Sequence, residues 1–331
     1  MASPLTVRRA DRRRFLQGTG IAAAVLACPL VRAQGGQRVR VGYIADFLGA
    51  SIVAVATKQE LWKKHGLVPE TKVFTNGPIQ IQALGTGDLD FGYIGPGALW
   101  LPMTGRAKLV AINAIGFSDR VIARPGIASL ADLKGKTVAV PEGTSGDMLL
   151  RLALRKAGLR NEDVKRVTMD PATVVSAFVS RQVDAAGIWY PHVATIRARM
   201  PDLVELAANK DFMPKHSFPS AFVMRNELDG DAHAALVGAM LRVIKDANDW
   251  RKAHLKEAVE ITAAMLGAPK ASLEAESVHA HCLSSQELMQ STRDGTVASW
   301  LGGMNELFKE LGRVPEIVDP AKYYLAARYL A

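Results

Sequence analysis

The residues of this chain that could do chemistry sit in short loops, not in a catalytic constellation. Gly143, Thr144, Ser145 and Gly146 place two hydroxyls and free backbone amides just ahead of an apolar-periodic run. That combination can wrap an oxyanion with no charge beyond a helix dipole, although Thr144 or Ser145 would also serve simply to cap the helix. Gly95, Pro96 and Gly97 make a second small-residue loop. Neither loop has the spacing of a P-loop or of a dinucleotide fingerprint. Trp189 and Tyr190 close a run of small apolar residues, which would set two rings at the mouth of a cleft over a small molecule, or else bury them in the core. Asp46 and Asp147 could accept an amine or a guanidinium, and each fits a helix cap equally well.

Nucleophilic and metal chemistry find little support. A thiolate nucleophile needs a histidine beside it in the cleft. Of the two cysteines, Cys28 lies in a leading segment and Cys282 falls in a tail that reads as helical. His279, His281 and Cys282 resemble metal ligands only on paper, because residues two apart on a helix point to different sides. No catalytic residue, no metal and no cofactor is expected.

Such loops need elements to hold them. Val39–Ile44 alternates apolar residues as a strand does, and Ile52–Lys64 has helical spacing that ends at Gly66. The strand-then-helix unit recurs: 90–94 with 98–103, 137–140 with 147–157, 164–169 with 172–180, and 185–188 with 191–199. This alternation predicts an α/β fold with mostly parallel sheets covered by helices on both faces. Ser129 followed by Asp132 is a capping box for a short helix ended by Gly135. From Asp231 onward the text is helical, including 258–266, 272–282, 286–291 and 297–311. In open parallel sheets ligands bind beyond the carboxyl ends of the strands, and the loops at Asp46–Phe47, 95–97, 143–147 and 189–190 all have that address.

The first 33 residues separate from the rest. Arg8, Arg9, Arg12, Arg13 and Arg14 precede an apolar run from Ile21 to Leu30 and the exit Val31-Arg32-Ala33. That is the form of a signal peptide, and Arg12-Arg13-Arg14-Phe15-Leu16 fits the twin-arginine export pattern, with cleavage expected after Ala33. Val25-Leu26-Ala27-Cys28 leaves open a lipid anchor at Cys28. The apolar run is about half the ~20 residues of a membrane span. Removing the leader takes six arginines and Asp11, so about +4 of the formal +9 remains. A mild excess of that kind suits anionic ligands and argues against a nucleic-acid surface. The 298 residues left exceed what one compact core usually holds.

Four stretches carry a resemblance: Val41-Gly42-Tyr43; Ala83 to Asp90; Leu130-Ala131-Asp132-Leu133-Lys134-Gly135-Lys136 running into Thr137 to Pro141; and Val183 to Pro191. With these the mature chain resembles the substrate-binding proteins of ABC importers for taurine, alkanesulfonates and nitrate. The resemblance implies a two-lobed, hinged periplasmic binding fold of type II, with lobe one at 38–117 plus 222–331 and lobe two at 118–221. It implies a periplasmic monomer that delivers a small polar, anionic solute to an ABC permease and its ATPase. It also implies binding through the loops at Gly95 to Ala98 and at Thr144, Ser145, Gly146 and Asp147, covered by Trp189. Pro96 and Gly97 stand where sulfonate binders often have serines, and Ser220 stands where taurine binders have an acid. A small nitrogenous heterocycle, amine or guanidinium compound is therefore a second ligand class, and a desulfinase-type enzyme or a sensor domain are the readings from other classes.

Overall fold

The computed structural model describes residues 36–331; the leader expected over residues 1–33, with Cys28, lies outside the described residues. Among the described residues eleven strands form two sheets. In chain order they are β1 (Gln37–Ile44), β2 (Leu67–Phe74), β3 (Phe91–Ile94), β4 (Lys108–Gly116), β5 (Asp119–Ala123), β6 (Thr137–Val140), β7 (Lys165–Thr168), β8 (Ala185–Trp189), β9 (Val204–Ala208), β10 (Pro219–Met224) and β11 (Ala280–Cys282). The six-stranded sheet has the order β11-β4-β10-β3-β1-β2 and the five-stranded sheet β7-β6-β8-β5-β9. Parallel pairing holds within β2-β1-β3 and β7-β6-β8, as the strand-helix alternation requires. The strands at the two passages between sheets are antiparallel: β5 on β8 and β9, β10 on β3 and β4.

Local sequence explains most of these elements. From Leu109 to Gly116 every residue of β4 is buried, the continuous apolar run of a strand covered on both faces. In β1 the alternation puts Val39 and Val41 inside at 0% exposure. The helix after β1 runs Phe47–Lys58, five residues earlier than its apolar spacing suggests, because Asp46 caps it: Asp46 Oδ1 accepts from Gly49 N at 2.6 Å. It breaks at Glu60, whose φ of 51° is left-handed, and a separate turn of helix follows at Leu61–Lys64. Asp132 accepts from the backbone N–H of Ala128 and Ser129, but the turn it caps is a single 3-10 turn at Ala131–Leu133.

The tail departs from its expected all-helical course at one place. The helix expected over 272–282 stops at Ser277, and Ala280–Cys282 become β11, whose three residues pair with Gly116, Ile115 and Ala114. An open edge of β4 satisfies more backbone groups than one further helical turn would, so tertiary pairing overrides the helical spacing. The reading of Cys282 and its neighbours as helical is thereby corrected. The chain rejoins the first sheet at Pro219, three residues ahead of the boundary expected at 222. Between the sheets the chain passes through Phe117 and Ser118 in one direction and through residues 209–218 in the other.

Candidate functional site

The loops at the carboxyl ends of the strands face one another across a partly enclosed cavity. Ile44, Asp46, Tyr93, Gly95 and Glu276 line it from the six-stranded side, and Ser118, Asp119, Thr144, Ser145 and Trp189 from the connection and the five-stranded side. The free space is about 40 Å³, where a single water takes roughly 10–15 Å³. About three water-sized groups fit.

Two carboxylates converge on the start of helix Phe47–Lys58. Glu276, near the end of helix Lys270–Ser277, accepts from Phe47 N at 2.7 Å and from Leu48 N at 3.2 Å. Asp46 caps the same turn and its Oδ2 accepts from Trp189 Nε1 at 3.1 Å, a bond that joins the two sides of the cavity. The helix end that would attract an anion is thus filled by the protein's own acids. Burial pushes the Asp46 carboxyl up to about 6, with the Asp119 charge adding to the rise while the bonds from Gly49 and Trp189 oppose it. Burial, then the Asp46 charge, pushes Glu276 well above the usual carboxylate range.

Asp119 opens β5 and is 2% exposed. Its Oδ2 accepts from Asn209 Nδ2 at 3.0 Å, and its backbone N–H donates to Asn209 Oδ1 at 2.8 Å. Oδ1 is buried with no hydrogen bond of strict geometry among the described residues, and the Ser145 hydroxyl is the neighbouring donor to this carboxyl. Burial raises this carboxyl as well, while the bonds from Ser145 and Asn209 and the Arg120 charge oppose the rise. The adjacent Arg120 guanidinium is turned to other partners: Glu205 at 2.9 Å, the carbonyls of Phe117 and Asp119, and His279 Nε2 at 3.2 Å. No lysine or arginine lines the cavity among the described residues.

Helix Ser145–Lys156 presents the opposite electrostatics. Thr144 stands at its N-cap but makes no side-chain cap bond, because its Oγ1 donates to Pro141 O at 2.6 Å. The first-turn amides therefore keep their dipole at the cavity wall, where Thr144 and Ser145 lie. Two glycine contacts let the parts meet. A Cβ on Gly97 would lie 2.1 Å from Ser145 N and from Thr144 C, so only glycine allows the loop after β3 to reach this helix. A Cβ on Gly146 would lie 2.5 Å from Gly187 O, so the helix seats directly on β8.

Of the residues singled out by sequence, Asp46, Gly95, Pro96, Thr144, Ser145 and Trp189 line the cavity together. The others stand outside its lining. Phe47 is wholly buried and takes part only through its backbone N–H. Gly97 and Gly146 are contact points between backbones. Asp147, 1% exposed, points away from the cavity into a charge network with Arg151 at 3.1 Å, Arg166 at 3.2 Å, Arg313 and the backbone N–H of Gly143. Tyr190 packs its ring on His279, centroids 4.9 Å apart. Ser220 is buried within β10, where its Oγ accepts from Asn113 and donates to Ala114 O, both at 3.3 Å. Cys282 is buried on β11, outside the cavity lining.

Sequence reading missed Asn76, Tyr93, Asp119 and Glu276. Asn76 had a legible signal, since Asn-Gly-Pro is a helix start, and its Oδ1 does accept from Ile79 N. Glu276 had none. It is one acid in a polar helix, and only the fold brings it 229 positions back to Phe47.

Comparison with known proteins agrees with this architecture. Residues 50–258 match the family described as NMT1/THI5 like. A Brucella abortus (strain 2308) protein named "Putative binding protein" is 55% identical over 320 residues, covering 97% of this chain and 99% of its own. The taurine-binding periplasmic protein of Escherichia coli K12 is 21% identical over 285 residues, 81% of this chain and 85% of that one. Among solved structures, the alkanesulfonate-binding protein SsuA of Xanthomonas axonopodis pv. citri bound to MOPS aligns with a TM-score of 0.69 at 22% identity, over 87% of this chain and 97% of that one. The desulfurization enzyme DSZB aligns with a TM-score of 0.65 at 14% identity, over 88% and 97%. The structural likenesses establish a two-lobed binding-protein fold that an enzyme also uses. With the family match over residues 50–258 and the Brucella relative spanning nearly its whole length, the chain belongs to the NMT1/THI5-like family.

Proposed function

We propose that this protein is a periplasmic solute receptor that closes on a small polar molecule and hands it to an ABC permease with its ATPase. The observation that carries this reading is the cavity: its walls come from both sheets, so a ligand inside touches both only when they have come together. Contacts that exist in one conformation alone give a ligand differential affinity, and that is what shifts an open-closed equilibrium. The hinge in this reading is the pair of passages at 117–118 and 209–218, with the lobes being the parts that carry the six- and five-stranded sheets.

The names of the relatives, taurine-binding and alkanesulfonate-binding, support a solute with an anionic end. The first turn of helix Ser145–Lys156 is where such a group would lie, held by backbone amides and the Ser145 hydroxyl. We read the protein as non-catalytic: Cys282 is outside the cavity, and His192, the histidine beside Trp189, packs edge-on to that ring. Export by the twin-arginine route with cleavage after Ala33, and function as a monomer, complete the proposal. A thermal-shift screen of sulfonates, nitrate, carboxylates and amines on the mature chain tests it, because a ligand bound only by the folded state raises the melting temperature. Small-angle scattering on each hit then reads closure; hits that leave the radius of gyration unchanged overturn the receptor reading.

A further inference from the structure

The cavity wall on the six-stranded side depends on a break in that sheet. β1 and β3 are parallel neighbours, yet their pairing is confined to Val41 with Phe91, although β1 continues to Ile44 and β3 to Ile94. Main-chain groups of successive strand residues point to opposite sides. Arg225 N donates to Asp90 O on the β10 side, so Phe91 and Tyr93 turn theirs toward β1, and the next rung of the ladder belongs at Tyr93. Gln80 takes that rung. From helix Gly77–Gly85 its Oε1 accepts from Tyr93 N at 3.0 Å and its Nε2 donates to Tyr93 O at 2.7 Å, and the residue is 0% exposed.

Both strands leave room for it. A Cβ on Gly42 would lie 2.5 Å from Gln80 Oε1, and one on Gly92 2.9 Å. Glycine weakens a strand interior and often marks the close approach of another group; here one glycine in each strand clears the same oxygen. We propose that Gln80 is a positioning residue of the solute site: its amide stands in for a ladder rung, keeps the carboxyl ends of β1 and β3 apart, and fixes Tyr93 on the cavity wall. The proposal rests on the receptor reading and adds the group that shapes its pocket. Asp46 follows β1, Tyr93 and Gly95 belong to β3 and the loop after it, and Pro78 starts the helix that carries Gln80. All four line the cavity, so the position of the one amide sets the spacing of that wall. A primary amide suits the role because it offers a donor and an acceptor, as the replaced peptide does, and brings no charge.

Two variants separate this role from a general loss of stability. Gln80→Met keeps a side chain of similar length and removes both bonds. Gln80→Glu restores both only when protonated, since an ionised carboxylate turns an acceptor toward Tyr93 O, and burial favours the protonated form. Hydrogen exchange and NMR of the tyrosine rings in the ligand-free mature protein read Tyr93 directly, each variant compared with wild type at the same pH. Tyr93 N–H should exchange at least about tenfold faster in Gln80→Met at both pH 5 and pH 8, and in Gln80→Glu at pH 8 alone, with the Tyr93 ring signals displaced in the same samples. Calorimetry with taurine, nitrate and acetate should follow: for Gln80→Glu, affinity within about threefold of wild type at pH 5 and at least about tenfold weaker at pH 8. Asp46, Asp119 and Glu276 line the cavity in every sample, so the ratio to wild type at each pH removes their own titration. Tyr93 signals that match wild type in Gln80→Met, or a Gln80→Glu variant indifferent to pH, overturn the proposal, as do displaced Tyr93 signals with unchanged affinities. Should Gln80→Met fail to fold, the pH response of Gln80→Glu decides alone. If none of the three solutes binds wild type at millimolar concentration, the Tyr93 signals still decide whether Gln80 holds this wall, and it is the receptor reading that fails.

Discussion

Replacing Asp46 by asparagine should change the stability of the ligand-free protein in a direction that depends on pH. Asp46 is buried, and its carboxyl is raised from 3.8 to about 6. At roughly 1.4 kcal/mol per pH unit of displacement, the charged form costs the fold about 3 kcal/mol. The folded state holds a proton that the unfolded state has released between those two values, so stability falls as pH rises through the window, most of the loss developing between pH 4 and 7. Asparagine removes that loss. It keeps the cap on Gly49, asparagine being as good an N-cap as aspartate, but presents a donor to Trp189 Nε1 and forfeits that bond, worth about 1 kcal/mol at any pH. The variant should therefore be less stable than wild type by up to about 1 kcal/mol at pH 4, and more stable by about 2 kcal/mol at pH 8. The neighbouring carboxyls act in the same sense. Glu276 and Asp119 are carboxyls held up by burial, Tyr93 stays neutral, and the buried Arg251 is committed to Ser51, Asn113 O and Asn248. Urea unfolding of both proteins from pH 4 to 8, after ligand has been stripped under denaturant, measures the difference. A difference that is constant across that range refutes the reasoning.

Other perturbations probe closure and the ligand wall. Gly97→Ala puts a Cβ 2.1 Å from the backbone at Thr144 and Ser145, so it should wedge the two loops apart; we expect a melting temperature within a few degrees of wild type and at least about a tenfold loss of solute affinity by calorimetry. Arg313→Ala removes the link from the C-terminal tail to Asp147 and Glu142 across the sheets. Arg151 and Arg166 still hold Asp147, so the fold should survive while scattering shows a larger ligand-free radius. Trp189→Phe keeps most of the ring but loses the Nε1 donor to Asp46. NMR titration should place the Asp46 carboxyl higher than in wild type, and an unchanged value would deny the bond its role.

Much of this was legible in the chain's text, and the exceptions have physical causes. β6 falls on the four residues its pattern marks, and β8 extends one residue beyond them to Trp189, because a parallel strand buried on both faces reads as an uninterrupted apolar run. β2 is invisible by the same rule. Leu67–Phe74 lies at the sheet edge with Glu70, Thr71 and Lys72 exposed, and its strand state comes from eight paired positions on β1. The loops at Asp46, Gly95, Thr144 and Trp189 could be found because ligand-facing loops follow strand ends. Asp147 shows where that rule overreaches: on the same loop, its side chain lies one helical position off and meets arginines instead of the cavity. Asp119 and Glu276 escaped because nothing local marks an acid that becomes special only through burial and through contacts made 90 and 229 positions away.

Small-angle scattering of the mature wild-type protein, with and without a solute shown by calorimetry to saturate it, bears most directly on a cleft that closes around its ligand. A smaller radius of gyration on binding, absent in Gly97→Ala, is the expected result. An unchanged radius at saturation, or the same contraction in Gly97→Ala, would contradict it.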